Sequence, residues 1–228
     1  MTETARPNQG ISAYRWLKRD IIRGHFAPGE KLRMTSLRER YELGTGPLRE
    51  ALSQLVSEHL VVAISQRGYR VAPMSLDELH DIYDARSHME GLVVELAIQR
   101  GDDAWEANVI AQHHTLSKVV DLNSPEEVLS VWDQRHKAFH NAIAEGCGSR
   151  HLLQARESLF EQAERYRHLW LQQTVFSTQA LATKRREHAE LVEVLLARDT
   201  ERAIPMMRDH LKTPIPIITQ VLKDRGIA

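Results

Sequence analysis

One cysteine, Cys147, stands in 228 residues, so the chain builds neither an intramolecular disulfide framework nor a multi-cysteine metal site. Long apolar runs are missing too. The longest, such as Leu60 to Ile64, fall far short of the roughly 18 residues that span a bilayer. Met1 to Gly10 lacks the apolar stretch of a signal peptide, and no low-complexity tract occurs. With 8 Pro, 11 Gly, 42% hydrophobic and 27% charged residues, a collagenous or disordered chain is excluded. These absences lead us to expect a packed protein of the cytoplasm. Catalytic signatures are equally scarce. The His136/His140 pair lacks the adjacent Glu of an HExxH site, and no Ser-His-Asp or Cys-His arrangement is legible. A metal-dependent enzyme is therefore only a distant alternative, and no catalytic residue is assigned.

Net charge is nearly nil, at −1, but it is unevenly spread. Residues 1–74 hold 12 Lys and Arg against 7 Asp and Glu, a net of +5, while the remainder holds 18 against 24, a net of −6. A basic amino-terminal third on an acidic body is the distribution expected when only the first part meets a polyanion. The length suits two domains, since domains cluster near about 100 to 150 residues. We divide the chain at 74/75.

Within residues 1–74, Tyr14, Leu17 and Ile21 recur at helical spacing over Ile11 to Arg23, and Gly24 sits where a left-handed cap is wanted. A second short helix, about Thr35 to Tyr41, offers Thr35 or Ser36 as cap, with Glu39 completing a capping box. Pro47 opens a third, whose inward stripe reads Leu48, Ala51, Leu52, Leu55 and His59. The runs from Leu60 to Ile64 and from Tyr69 to Ala72 flank a glycine turn as a hairpin. This order is that of a winged helix-turn-helix, whose third helix enters the major groove of double-stranded DNA. The order alone leaves a protein-binding module open.

From Ser75 onward the sequence reads as helix throughout, in spans of about Ser75 to Arg100, Ala104 to Asp121, Pro125 to Glu145, Ser149 to Gln172, Gln179 to Ala197 and Thr200 to Lys223. The expected architecture is all-α with a small β wing: an amino-terminal winged helix-turn-helix plus a carboxy-terminal six-helix antiparallel bundle. In the third span Leu129, Trp132, His136, His140 and Ile143 share a face. His188 and His210 fall on the inward stripes of the last two spans. Neutral imidazoles on rigid helices are good ligands for divalent transition metals, and an i, i+4 pair suits two ligands to one ion. On the first span Leu79, Tyr83, Arg86, Glu90, Val93 and Ala97 lie along one stripe. A buried Arg86 needs an anion, either Glu90 one turn on or a carboxylate ligand gripped in bidentate fashion. Arg165, Tyr166 and Trp170 are weaker candidates for the same pocket.

The stretch Phe26-Ala27-Pro28-Gly29-Glu30-Lys31-Leu32, then Gly46-Pro47-Leu48-Arg49-Glu50-Ala51-Leu52 and the glycine of Gln66-Arg67-Gly68-Tyr69, resembles the DNA-binding domain of the GntR superfamily of bacterial regulators. Phe139-His140-Asn141-Ala142-Ile143-Ala144, Glu187-His188 and Arg208-Asp209-His210-Leu211 resemble its FCD effector-binding domain. The resemblance implies DNA contacts at Thr45, Gly46, Arg49, Gln66, Arg67 and Gly68, and metal ligation at His140, His188 and His210. It also implies a repressor that grips a pseudo-palindromic operator as a homodimer. Its effector would be a small dicarboxylate, glutarate foremost, governing genes of glutarate, lysine and 4-aminobutyrate breakdown; the alternative is another organic acid. Three positions depart from the family pattern. Gly44-Thr45 stands where Ser-Arg is common, leaving Arg33 and Arg38 as substitutes for phosphate contact. His136 replaces a usual Asp, which makes the metal set His136, His140, His188 and His210 softer and points to Zn or Ni. Ser149 replaces a common Asn.

Overall fold

The computed structural model describes residues 9–172 and 176–227. Helix α1 (Gln9–Ile22) turns Ala13, Leu17 and Ile21 to one buried side, and Gly24 ends it with φ at +71°, where a side chain would be strained. Helix α2 (Met34–Tyr41) starts earlier than the capping pattern suggested. Its cap is Arg33, with no side-chain hydrogen bond, and the expected capping residues Thr35 and Ser36 lie inside it. The cause is a two-residue strand, β1 (Lys31–Leu32), which holds the chain extended up to Arg33. Helix α3 (Thr45–Ser57) buries Leu48, Ala51, Leu52 and Leu55 against α1, as its stripe required. His59 does not join that stripe. It lies beyond the helix end at φ +60°, exposed.

Strands β2 (Val61–Ile64) and β3 (Gly68–Val71) form the hairpin, and β1 adds to its other edge in the order β1-β3-β2, all antiparallel. Buried Asp20 on α1 ties the module together. Its carboxylate accepts hydrogen bonds from the Tyr41 hydroxyl at 2.9 Å and the Arg40 guanidinium at 2.9 and 3.1 Å. Burial would raise the Asp20 pKa, but Tyr41 and Arg40 together hold it below the ordinary value.

The body begins at Ser75, whose hydroxyl accepts the Glu78 N–H and caps α4 (Leu76–Arg100). Asp102 caps α5 (Asp103–Ser117). The next span is continuous but irregular: α6 (Pro125–Glu127) passes through a π-helical turn (Val128–Trp132) into α7 (Asp133–Glu145). The extra residue in that turn rotates the stripe, so Val128 is buried and Leu129 only half so. Ser149 caps α8 (Arg150–Leu171), Ser177 caps α9 (Thr178–Leu196) and Asp199 caps α10 (Thr200–Lys212). The last expected span, Thr200 to Lys223, is broken at Thr213-Pro214, and α11 (Ile215–Asp224) follows as a separate helix. Pro214 and Pro216 lack the N–H groups that would have carried it through.

The α4–α11 core gathers Tyr83, Trp132, Phe139, Tyr166, Leu195 and their neighbours, apart from the core of the winged module. Helix α8 joins the two. Glu161 takes Lys18 of α1 at 2.5 Å, Gln172 donates to the Arg23 carbonyl at 2.5 Å, and Arg165 donates to the Ala72 carbonyl. No helix among the described residues is long and apolar enough to cross a membrane.

Trp105 fixes α5 on α7 by donating its indole N–H to the carbonyls of Ala142 and Ile143 at 3.0 and 3.1 Å. Gly146 leaves the room for it: a Cβ there would stand 2.5 Å from the indole nitrogen. Gly146→Ala should therefore destabilise the protein by about 1–3 kcal/mol through overpacking. Guanidinium unfolding followed by Trp fluorescence will show it, and an unchanged midpoint would contradict this packing.

Candidate metal centre, effector cavity and nucleic-acid surface

Four imidazoles converge where α7, α9 and α10 meet. His136 and His140, one turn apart on α7, bring their Nε2 atoms to 3.1 Å, and His210 on α10 lies 3.2 Å from His140 and 3.3 Å from His188 on α9. One ring nitrogen from each of the four falls within 4.8 Å of all the others. Hydrogen bonding alone satisfies this chain poorly. The Nε2 atoms of His140 and His210 each face two neighbours, and a neutral ring nitrogen either donates one proton or accepts. A cation resolves the conflict. For nitrogens about 2.0–2.1 Å from one ion, neighbouring ligands sit about 2.9–3.4 Å apart, which matches the observed spacing.

Electrostatics favour the ligand form of the rings. Burial, reinforced by the other imidazoles, pushes the pKa values of His136 and His140 well below the ordinary histidine range, and burial with His210 brings that of His188 to about 2. Trp132 stacks on His136 with ring centroids 4.5 Å apart, fixing its plane from the π turn. Glu187 stands 3.7 Å from the outer nitrogen of His210. With no carboxylate among the four converging groups, the set suits Zn, Ni or Cu better than a hard cation.

Beside the centre lies a small cavity bounded by His136, His140 and His210. Its walls carry four cationic side chains: Arg86, Lys137, Arg167 and Lys184. Arg167 of α8 donates to Glu164 at 2.5 Å and to Asp133, and Lys137 of α7 meets Asp133 at 2.8 Å and also Glu164. Burial would raise the Glu164 pKa, yet Arg167 and Lys137 outweigh it and hold the carboxyl at about 2. For Asp133 burial prevails, and its pKa is raised. Arg86 has only Glu90 at 3.8 Å, and Glu90 is claimed by Arg156 at 2.9 Å. The buried Nε of Arg86 and hydroxyl of Tyr83 have no hydrogen-bond partner among the described residues.

Of the residues expected in this pocket, Arg86 and Trp170 line it and Arg165 and Tyr166 do not. On α8, Arg167 and Trp170 share the inward face, and the intervening helical rotation turns their neighbours away. Arg165 is spent on the Ala72 carbonyl at the junction with the winged module. Tyr166 donates to Glu78 and receives the Ser75 N–H at 3.1 Å, bracing the start of α4. The sequence reading missed Lys137, Arg167 and Lys184. Lys184 stood one turn before His188 and Arg167 three residues before Trp170, so helical spacing from accepted site residues would have found both. Lys137, three residues before His140, carried the same signal.

On the winged module, Gly46 and Arg49 are exposed at the start of α3, with Thr45 half-buried, and Arg33 and Arg38 are exposed on and before α2. Gln66, Arg67 and Gly68 form the exposed tip of the hairpin, where Gln66 and Gly68 take φ of +57° and +86°. Arg33, Arg38, Arg49 and Arg67 form no salt bridge with a described residue. Arg19 and Arg40, by contrast, are engaged with Asp20, and Arg70 with the Gly29 carbonyl. Gly44 precedes α3 without a side-chain cap, which leaves the first N–H groups of the helix open toward solvent.

Residues 11–71 match the family model of bacterial regulatory proteins of the gntR family, and residues 81–213 match that of the FCD domain. The HTH-type transcriptional repressor GlaR of Escherichia coli (strain K12) is 58% identical over 212 residues, covering 93% of this chain and 96% of that protein. Among solved structures, E. coli McbR/YncC superposes with a TM-score of 0.75 at 20% identity, over 94% of this chain and 99% of the other. A GntR family member from Pseudomonas syringae pv. tomato str. DC3000 gives 0.51 at 21%, over 96% and 87%. At such identities the structural likenesses show the fold alone.

The histidine geometry generates two linked expectations. His140→Ala combined with His188→Ala should lower bound Zn or Ni, and full metal by elemental analysis in that variant would rule the centre out. Stripping the metal with a chelator should lower the melting temperature and leave the protein acid-sensitive. The folded rings exclude protons that the unfolded chain takes up, so stability of the metal-free form falls as pH drops below about 6.5. Urea midpoints between pH 7.5 and 5 should show this fall, and less of it in the double variant.

Proposed function

The chain belongs to the gntR family of bacterial regulatory proteins and carries an FCD domain, and on that footing we propose that this transcriptional repressor grips a pseudo-palindromic operator as a homodimer and lets go when a small dicarboxylate fills its helical cavity. In this reading residues 1–74 contact DNA and residues 75–228 bind effector and dimerise, in the cytoplasm. Glutarate is the effector of choice. The carrying observation is the charge of the cavity and of the groups its walls are paired with. Within salt-bridge distance Arg86, Lys137, Arg156, Arg167 and Lys184 meet only Glu90, Asp133 and Glu164, a surplus of two positive charges with the histidines neutral, while Glu187 acts on Lys184 from farther off. Two unmatched cations beside unpartnered donors call for a dianion.

His136, His140, His188 and His210 would hold a divalent transition metal, Zn or Ni, which supplies a Lewis-acidic partner for one carboxylate oxygen. Arg86 and Tyr83 direct hydrogen-bond donors at the same acid, while Trp132, Phe160 and Trp170 exclude water around its methylenes. Arg49 reads a guanine edge or clamps a phosphate at the start of α3. Thr45, Gly46 and the wing residues Gln66, Arg67 and Gly68 approach the backbone, as do Arg33 and Arg38.

Coupling requires an element that both sites touch. Asp133, Lys137 and Glu164 form one: they border the cavity cluster and also a cleft between α1 and the bundle that holds Arg19, Arg23 and His25. An acid that draws Lys137 or Arg167 toward the cavity changes the field of Asp133 and Glu164 on the cationic end of α1. The two recognition helices of a dimer then lose their match to successive major-groove faces.

Arg49→Ala should weaken operator binding by about 5- to 150-fold, the worth of one bidentate base contact, with unchanged circular dichroism. Glutarate should weaken binding by the wild type over a similar range. Fluorescence anisotropy with an operator duplex measures both, and the reading fails if operator affinity ignores a panel of dicarboxylates.

A further inference from the structure

Lys184 stands apart from the other three cations of the cavity. Lys137 and Arg167 each hold both Asp133 and Glu164, and Arg86 has Glu90. The ammonium of Lys184 has no carboxylate and no hydrogen-bond acceptor within reach among the described residues. It rests instead over two aromatic rings, 5.8 Å from the centroid of Trp132 and 5.7 Å from that of Phe176. Glu187, the nearest acid on its own helix, is turned to His210. Ring contacts compensate a half-buried ammonium only in part for the water it gives up. Burial accordingly lowers its pKa, with Glu187 opposing only in part. An unmatched cation held on apolar rings in a cavity wall is a receptor awaiting its anion.

Its position says which anion. Lys184 lies one turn before His188 on α9, on the Trp132 and Phe176 side of the cavity. Arg86 and the Tyr83 hydroxyl lie on α4, with Arg86 over Phe160 at 5.1 Å. Lys184 and Arg86 thus enter the cavity wall from different helices, α9 and α4.

We propose that Lys184 is the specificity-determining residue of the cavity: it holds the second carboxylate of a linear dicarboxylate whose first carboxylate lies at the histidine centre and Arg86. This rests on the effector reading above and adds to it how a diacid is told from a monoacid of equal length. Among the four cavity cations Lys184 alone has no salt bridge with a described residue, so removing it removes the discrimination and leaves the first anchor intact.

The test is calorimetric titration of the metal-loaded protein with glutarate and with pentanoate, which replaces one carboxylate by a methyl group. Wild type, Lys184→Met, Lys184→Gln and Lys184→Arg are compared, each with metal content and circular dichroism verified. A charged hydrogen bond of ordinary strength predicts a loss of about 10- to 150-fold in glutarate affinity for the Met and Gln variants. Pentanoate affinity should hold within about threefold, and Lys184→Arg should keep the preference for the diacid. Unchanged glutarate affinity in the Met and Gln variants, or equal weakening of both acids, overturns the assignment and leaves the effector reading standing. A wild type that binds neither acid overturns both.

Discussion

Buried charge has to be matched, and in this protein the match is made by Asp133, Lys137, Glu164 and Arg167. The four side chains cross from α7 to α8 and set the spacing of the helices that carry the first two histidines and the cavity wall. Removing one partner from such a cluster leaves a stranded charge and costs about 3–5 kcal/mol, a large share of the stability of a small domain. The π turn at Val128–Trp132 belongs to the same arrangement. It sets Trp132 against both His136 and the Arg167 guanidinium just where the helix enters the cluster.

In the proposed mechanism that cluster also links the cavity inside the bundle to the DNA-binding module. Polar contacts cross the junction between the two parts: Lys18 with Glu161, Gln172 with the Arg23 carbonyl, Arg165 with the Ala72 carbonyl. Such contacts hold an orientation without locking it. Typical coupling between two sites is about 1–3 kcal/mol, less than the worth of a single buried charge pair. Partial redirection of Lys137 or Arg167 is therefore ample, and no large rearrangement of the core is required.

What the sequence made legible were features that repeat at a fixed period. The histidines at 136 and 140 were readable because four residues is one turn, and the buried stripe of α3 because Leu48, Ala51, Leu52 and Leu55 obey the same rule. Features without a period were not. Strand β1 has two residues, too few to alternate, and it displaced the start of α2. The π turn adds one residue to a helix and so defeats a regular stripe. On α8, nine consecutive residues from Ala163 to Leu171 are buried, so hydrophobicity could not say which of them face the cavity. Arg165 and Tyr166 went to the junction and Arg167 to the site, a distinction made by tertiary packing alone.

In the proposed reading, the position of His136 links the histidine centre to the choice of ligand. Where the family resemblance has an aspartate, this chain has a neutral imidazole, and the centre loses one negative charge. Its neighbours do not restore it: Asp133 and Glu164 are already committed to Lys137 and Arg167, and Glu187 lies on the far side of His210. A carboxylate at 136 would have offset part of the cationic field of the cavity and repelled an incoming acid. With an imidazole there, position 136 adds no opposing charge to the field of Arg86 and Lys184, from which the proposed dianion gains twice where a monoanion gains once. In the proposed reading, the imidazole that softens the ligand set toward Zn or Ni thus also tilts the cavity toward acids with two charges.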